Sequence, residues 1–414
     1  MTLVEFVPPT PHPLWKLCPQ MGITDVVVKV NPDLTGLADP WRYETLSSIV
    51  GRLKSAGLNV VGLEGDPFDM SPIKEYGAGV GENSSSWREA ALAHYRELLE
   101  SMDRLGIRLL CYNFMVGKGW SRTGVREGRG GAKATYFSLK DFGHKEHKEV
   151  GEKSSSWREE NSLLQLQLVS PTETSNSNST LQLNENQVWA NYEYFIKAVM
   201  PTAEKCGVRM SLHPDDPCLP SLGGYARIFG SVEAYDRAYS IYPSPSNAVT
   251  FCQANFKLMP GNGGVGDKSW SWRKVDENPA LQLNTPTPTK TRPVRTLEDA
   301  ARHFGKRIAF IHVRDVEGTK EDFTELFHDQ GDTDQFALMR TYREIGLDVP
   351  LRGDHVPEMA YDRDLTPEGT PGYFTLGRLF ANGYLKALLE GTENAKSPIS
   401  GDSTDEFRFK VGSR

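Results

Sequence analysis

Apolar and β-branched residues gather along the chain in eight short runs. These are LWKLC (14–18), DVVVKV (25–30), NVVGLE (59–64), RLLCYNF (108–114), VRMSLH (208–213), AVTFCQ (248–253), IAFIHVR (308–314) and VPLRGDH (349–355). Runs this short and this apolar read as strands buried on both faces. Between most of them the apolar spacing changes to a helical period, as in WRYETLSSIVGRLKSAGL (41–58), SWREAALAHYRELLESMDRLGI (86–107), VWANYEYFIKAVMPTAEKCGV (188–208) and TLEDAARHFG (296–305). Gly57, Gly106, Gly207 and Gly346 stand where helices give way to strands, as helix-stopping glycines do. Eight alternating units predict an α/β fold with a parallel sheet closed into a (β/α)8 TIM barrel. Little more than MGIT separates the first two runs, so the first crossover is expected to be irregular.

Two stretches break the rhythm. Residues 143–186 and 260–295 are polar and rich in Ser, Thr, Asn, Gln and Pro, a composition that buries little. Both follow a strand and precede a helix, which places them as insertions in the loops of the catalytic face. The near-copies GENSSSWRE (81–89), GEKSSSWRE (151–159) and GDKSWSWRK (266–274) recur, as does LQL at 164–166, 181–183 and 281–283. A lid or a subunit contact would use such repeats; a surface insertion would tolerate them, because loops absorb length at small cost. In the first copy, Ser86 and Glu89 have the spacing of a capping box. Residues 1–390 then form one catalytic domain, and 391–414 a polar, flexible tail.

Composition narrows the function. The net charge is −7, so no basic surface invites nucleic acid. No apolar run approaches the ~18 residues of a membrane span, and MTLVEFVPPTPHPLW lacks the basic and apolar regions of a secretory signal. The five cysteines, Cys18, Cys111, Cys206, Cys218 and Cys252, are odd in number and widely spread, which fits a reducing cytoplasm rather than a disulfide framework.

The chemistry collects at the ends of the last four runs: His213, Cys252, His312 and Asp354. Singly, each has an ordinary explanation as a satisfied polar group, a small core thiol or a turn acid. Together they sit where consecutive barrel strands converge. Two imidazoles, a thiolate and a carboxylate suit Fe(II), Mn(II), Co(II) or Zn(II) better than Mg(II) or Ca(II). In SLHPDDP (211–217) the acids Asp215 and Asp216, fixed between Pro214 and Pro217, read as turn acids bonded to backbone or to the ligand imidazoles.

Longer segments carry a family resemblance: YNFM (112–115), GWSRT (119–123), LHPDDP (212–217), TFCQANF (250–256), HVRDVEGTKEDFTELFHDQGDTD (312–334), DHVPEM (354–359) and PGYFTLGRLFANGYLKALL (371–389). Outside the two insertions, the chain from Leu14 to Glu390 resembles the mannonate dehydratases of the xylose-isomerase-like barrels. The resemblance implies dehydration of D-mannonate to 2-keto-3-deoxy-D-gluconate in hexuronate catabolism, with Fe(II) or Mn(II) held by His213, Cys252, His312 and Asp354. It also implies His355 and Tyr373 as the acid–base pair, with neither assigned to the C2 proton. Arg122 and Arg314 are candidate clamps for the substrate carboxylate, since guanidinium grips carboxylate in a bidentate way; a surface-loop arginine is the alternative for Arg122 and a structural ion pair the alternative for Arg314. Asn113, Glu64 and His328 are candidate substrate contacts, with a turn, a turn carboxylate and a solvent-exposed imidazole as their plainer roles; Glu64 could equally stand behind the metal ligands and hold one of them. A sugar acid is the expected partner and a homo-oligomer the expected assembly. Two other functions stay open: a related metal-dependent sugar isomerase or epimerase, and a non-catalytic binding protein derived from a dehydratase.

Overall fold

Barrel closure is made by the first seven residues of the chain. The computed structural model describes residues 1–30, 39–78, 85–143, 150–151, 182–259 and 296–393. Strand β1 is a split strand, Thr2–Leu3 and Glu5–Val7. It is followed by β2 (Asp25–Lys29), β3 (Asn59–Glu64), β4 (Leu109–Asn113), β5 (Arg209–His213), β6 (Asn247–Cys252), β7 (Ile308–Val313) and β8 (Pro350–Gly353). Each pairs in parallel with the next. The first half of β1 pairs with β8, Thr2 opposite Pro350, and the second half with β2, Phe6 opposite Val27. One extended segment thus joins the last strand to the second and closes the ring.

This corrects the reading of the first run. LWKLC is not a strand but the start of helix α1 (Leu14–Gln20), a crossover between β1 and β2. Pro13 enters with φ −51, already helical, and Leu14, Trp15 and Cys18 are buried at helical spacing. The real first strand was hidden by Glu5, a charge in a buried position. Arg378 Nε and Nη2 (3.2 and 2.5 Å) and the Asn382 amide satisfy it from the far end of the chain.

Beyond α1, the helices of eight residues or more among the described residues are α2 (Tyr43–Ser55), α3 (Ser85–Arg104), α4 (Glu185–Lys205), α5 (Val232–Ile241), α6 (Leu297–Phe304), α7 (Gln335–Glu344) and α8 (Thr375–Glu393). Gly57, Gly106, Gly207 and Gly346 end helices with φ between 61° and 81°, the left-handed stop their positions predict. Most buried side chains lie between strands and helices. A smaller cluster, including Val27, Leu109, Cys111, Ala248 and Phe310, fills the barrel interior. Because strand side chains alternate, the inward rows continue upward from Cys111 to Asn113, from Ser211 to His213, from Thr250 to Cys252 and from Phe310 to His312. That parity delivers the candidate ligands to one place.

A second sheet, absent from the expectations, covers this end of the barrel. Gly124–Glu127 and Lys133–Ser138, after β4, join Val316–Thr319 and Asp322–Glu325, after β7, as four antiparallel strands. Phe137 and Phe323 stack beneath it at 5.9 Å.

Most of the two polar insertions falls outside the described residues. Residues 144–149, 152–181 and 260–295 lie outside them, as do the third SSSWRE-type copy and all of the second but Gly151. The end of the first insertion belongs to the fold: Leu183 is fully buried, and Asn184 caps α4 in a reciprocal box with Gln187 (3.1 and 2.9 Å). The Ser86–Glu89 box does not form. Ser86 lies inside α3, and Glu89 accepts the Tyr194 hydroxyl. Helix α8 runs through Glu393, and 394–414 lie outside the described residues. All five cysteines are free and buried, as their spread predicts. No helix among the described residues is long and apolar enough to cross a membrane.

Candidate active site

At one end of the barrel His213 and Cys252 end β5 and β6, His312 is the last residue but one of β7, and Asp354 follows β8 directly. Each offers one ligand atom, and the four atoms lie within 4.8 Å of one another. His213 Nδ1 is 2.8 Å from the Pro214 carbonyl, to which it donates, so the Nε2 lone pair is free. Cys252 is fully buried, its Sγ 2.8 Å from Asn255 Oδ1. His312 is buried with no hydrogen-bond partner for either ring nitrogen among the described residues. Its Nδ1 is 3.7 Å from Asp354 Oδ2 and its Nε2 is 3.6 Å from Glu64 Oε2, both too long for hydrogen bonds. Leaving a buried polar group unpaired costs about 1–3 kcal/mol. A borderline divalent cation would satisfy it, and a donor set of two nitrogens, one sulfur and one oxygen fits such a cation.

Beside this cluster, Tyr373 Oη lies 3.1 Å from Asp354 Oδ1 and 3.3 Å from His355 Nε2. The Trp120 ring stands edge-on to His355 at 5.1 Å and walls the same cavity. His355 holds φ +43, an uncommon conformation for a side chain larger than glycine. Gly372 makes room for the ring, since a Cβ there would lie 3.2 Å from His355 Nδ1. Burial lowers the His355 imidazole to about 4, so it is neutral near pH 7. Burial also raises the Tyr373 phenol well above its ordinary range, which keeps it protonated.

Two sets of charges hold these groups. Arg352 Nη1 donates to Asp354 Oδ1 (2.8 Å), while Nε and Nη2 donate to Glu64 (3.2 and 2.7 Å). Burial opposes ionisation of Glu64, but Arg352 and His312 overcome it and hold the carboxyl down to about 2. Farther out, Arg122, Arg314, Asp216 and Glu325 form a buried quartet. Arg122 spends all five N–H groups: two on Glu325 (3.0 and 2.7 Å), two on Asp216 (both 2.9 Å) and one on the Ser121 carbonyl (2.7 Å). Arg314 is bound to Glu325 (2.9 and 2.7 Å), Asp216 (2.9 Å) and Asn255 (2.8 Å).

The expected substrate clamps therefore take another form. Arg122 has no N–H left for a substrate carboxylate, and neither it nor Arg314 lines the cavity. Asp216 serves these arginines and Asp215 serves Phe229 N (2.7 Å) and Arg227 (3.5 Å), not the imidazoles. His328 is buried rather than exposed; its Nε2 lies 2.8 Å from the Val313 carbonyl, outside the cavity wall. Asn113 and Glu64 do face the cavity. Asn113 Oδ1 already accepts Lys74 Nζ and the Met115 amide, both at 3.1 Å. Three residues went unnoticed in the sequence. Arg352 left a usable signal, a cation inside an apolar run two residues before Asp354. Glu325 and Trp120 left none.

The D-mannonate dehydratase (UxuA) family matches residues 16–265 and 288–398. Relatives include the mannonate dehydratase of Streptococcus suis (strain 05ZYH33), 26% identical over 396 residues covering 94% of each chain. That of Brachyspira hyodysenteriae (strain ATCC 49526 / WA1) is 27% identical over 381 residues, 90% of this chain and 92% of the other. The crystal structure of mannonate dehydratase from Streptococcus suis serotype 2 superposes with a TM-score of 0.69 at 24% identity, over 95% of each chain, and so shares the fold. The family match spans every strand end of the site and the Tyr373 segment, and this chain belongs to the D-mannonate dehydratase family of hydro-lyases.

Proposed function

We propose that the chain removes water from D-mannonate to give 2-keto-3-deoxy-D-gluconate, as a step of hexuronate catabolism in the cytoplasm. The observation that carries this reading is the buried His213–Cys252–His312–Asp354 cluster set against the His355–Tyr373 pair. The four residues would hold Fe(II) or Mn(II), which when bound supplies Lewis acidity toward the carboxylate and hydroxyl oxygens of the sugar acid.

The chain's own groups handle the protons. His355 is neutral at pH 7 and lines the cavity, so it takes the proton from C2. Tyr373 keeps its proton and gives it to the hydroxyl leaving C3, which departs as water. The 2-enol left behind ketonises to the product. Trp120 and Phe6 wall the cavity with apolar surface around this pair.

Product identification tests the reading. Anaerobic incubation of the Fe(II)- or Mn(II)-loaded chain with D-mannonate should yield a 2-keto-3-deoxy acid; an isomeric sugar, or no turnover with either metal, would overturn it. Cys252→Ser should weaken Fe(II) and Mn(II) binding by more than the ~10–100-fold typical of outer-shell changes, measured by chelator competition, with the metal-free fold kept by circular dichroism. Gly372→Ala, at a φ of +89 that strains any side chain and with its Cβ 3.2 Å from His355 Nδ1, should shift the His355 ring by a few tenths of an ångström and lower turnover at unchanged metal content.

A further inference from the structure

Resting on that metal reading, we propose that Glu64 is not a substrate contact but the positioning residue of His312, accepting its Nε2–H so that the Nδ1 lone pair faces the metal cluster. The ring's orientation carries this. Nδ1 is the nitrogen turned to Asp354 and Nε2 the nitrogen turned to Glu64. A ligating imidazole ordinarily gives its second N–H to a carboxylate or carbonyl, which fixes the tautomer. For His213 that acceptor is the Pro214 carbonyl. For His312 it is Glu64, whose Oε2 at 3.6 Å needs to move only a few tenths of an ångström to reach hydrogen-bond range.

Glu64, Cys111 and His312 also lie close enough to suggest a second cation. The charges argue against one. Arg352 donates to both Glu64 oxygens, and the Cys111 thiol is already 3.3 Å from Thr250 Oγ1. A cation there would crowd a guanidinium that has already neutralised its carboxylate. The same guanidinium holds Asp354 Oδ1. One planar group therefore sets both the carboxylate that orients His312 and the carboxylate inside the cluster, so the His312 Nδ1 and Asp354 Oδ2 positions are fixed relative to each other.

The test is a double-mutant cycle read on metal affinity. In Glu64→Gln the amide oxygen is drawn to Arg352 and the NH2 turns to His312, favouring the wrong tautomer. Co(II) and Mn(II) affinity, by chelator competition, should fall about 10–100-fold. The Co(II) spectrum should keep its thiolate charge-transfer band while the ligand-field bands shift. In a His312→Ala background the same Glu64→Gln change should cost little more, since its effect acts through the missing ring. Equal losses in both backgrounds would mark a through-space charge effect and overturn the role of Glu64. Should Glu64→Gln fail to fold, Glu64→Asp carries the same cycle, with the carboxylate withdrawn from Nε2. A wild-type chain that takes up neither Co(II) nor Mn(II) overturns the metal reading and this role with it; uptake with additive losses overturns this role alone.

Discussion

His355→Asn will lower kcat on D-mannonate by about 10²–10⁴-fold, the usual worth of a positioned proton-transfer group, with metal content unchanged. Asparagine suits the test because it tolerates the φ of +43 that His355 adopts, so the backbone turn survives while the proton acceptor is lost. Tyr373→Phe will cost a similar factor. The double variant will cost far less than the product of the two, because the pair, 3.3 Å apart, works as a unit. The base must be neutral to act. Burial lowers its titration to about 4, so turnover in wild type will hold as pH drops past 6 and fall only toward that lower value. Full activity in His355→Asn would remove His355 from the chemistry.

Arg314→Ala will destabilise the protein by about 3–5 kcal/mol, the range for breaking a buried charge pair, read as a fall in melting temperature. The cost arises because Asp216 and Glu325 are left with one guanidinium between them, at side-chain exposures of about 1%. Burial alone would push both carboxyls up, but the two arginines hold them below the ordinary range. Their contribution is therefore fully present at neutral pH and is lost as pH falls through the lowered values. In Arg314→Ala the loss should begin at higher pH. An unchanged acid limb of stability would show that the quartet contributes nothing to folding.

The candidate ligand cluster was legible because it needs only local information. A strand ends, and the residue at its end faces the axis; four strands in succession give His213, Cys252, His312 and Asp354. What holds those residues is not local. Arg352 meets Glu64 across 288 residues of chain, and Arg122 meets Glu325 across 203. The antiparallel sheet over the site pairs Phe137 with Phe323 from two different loops, and neither loop shows a partner in its own pattern. Arg122 and Arg314 look like substrate clamps in the sequence for this reason. An arginine whose carboxylate partners are distant in sequence looks free. The first strand failed differently. Five residues of LWKLC cannot distinguish a strand from one helical turn, whereas the three-residue EFV strand carries a charge.

The split first strand has a consequence for synthesis. Thr2 N donates to the Val349 carbonyl and Val4 N to the Leu351 carbonyl, so the hydrogen bonds that close the ring join residues 347 positions apart. At the usual pace of translation, β8 leaves the ribosome roughly 20–70 s after β1. Throughout that interval the edge of β1 that receives β8 waits in an open, growing sheet. The nascent chain thus spends its longest exposure with unpaired strand edges at its own N-terminus, where early pairing with a second copy would compete with closure.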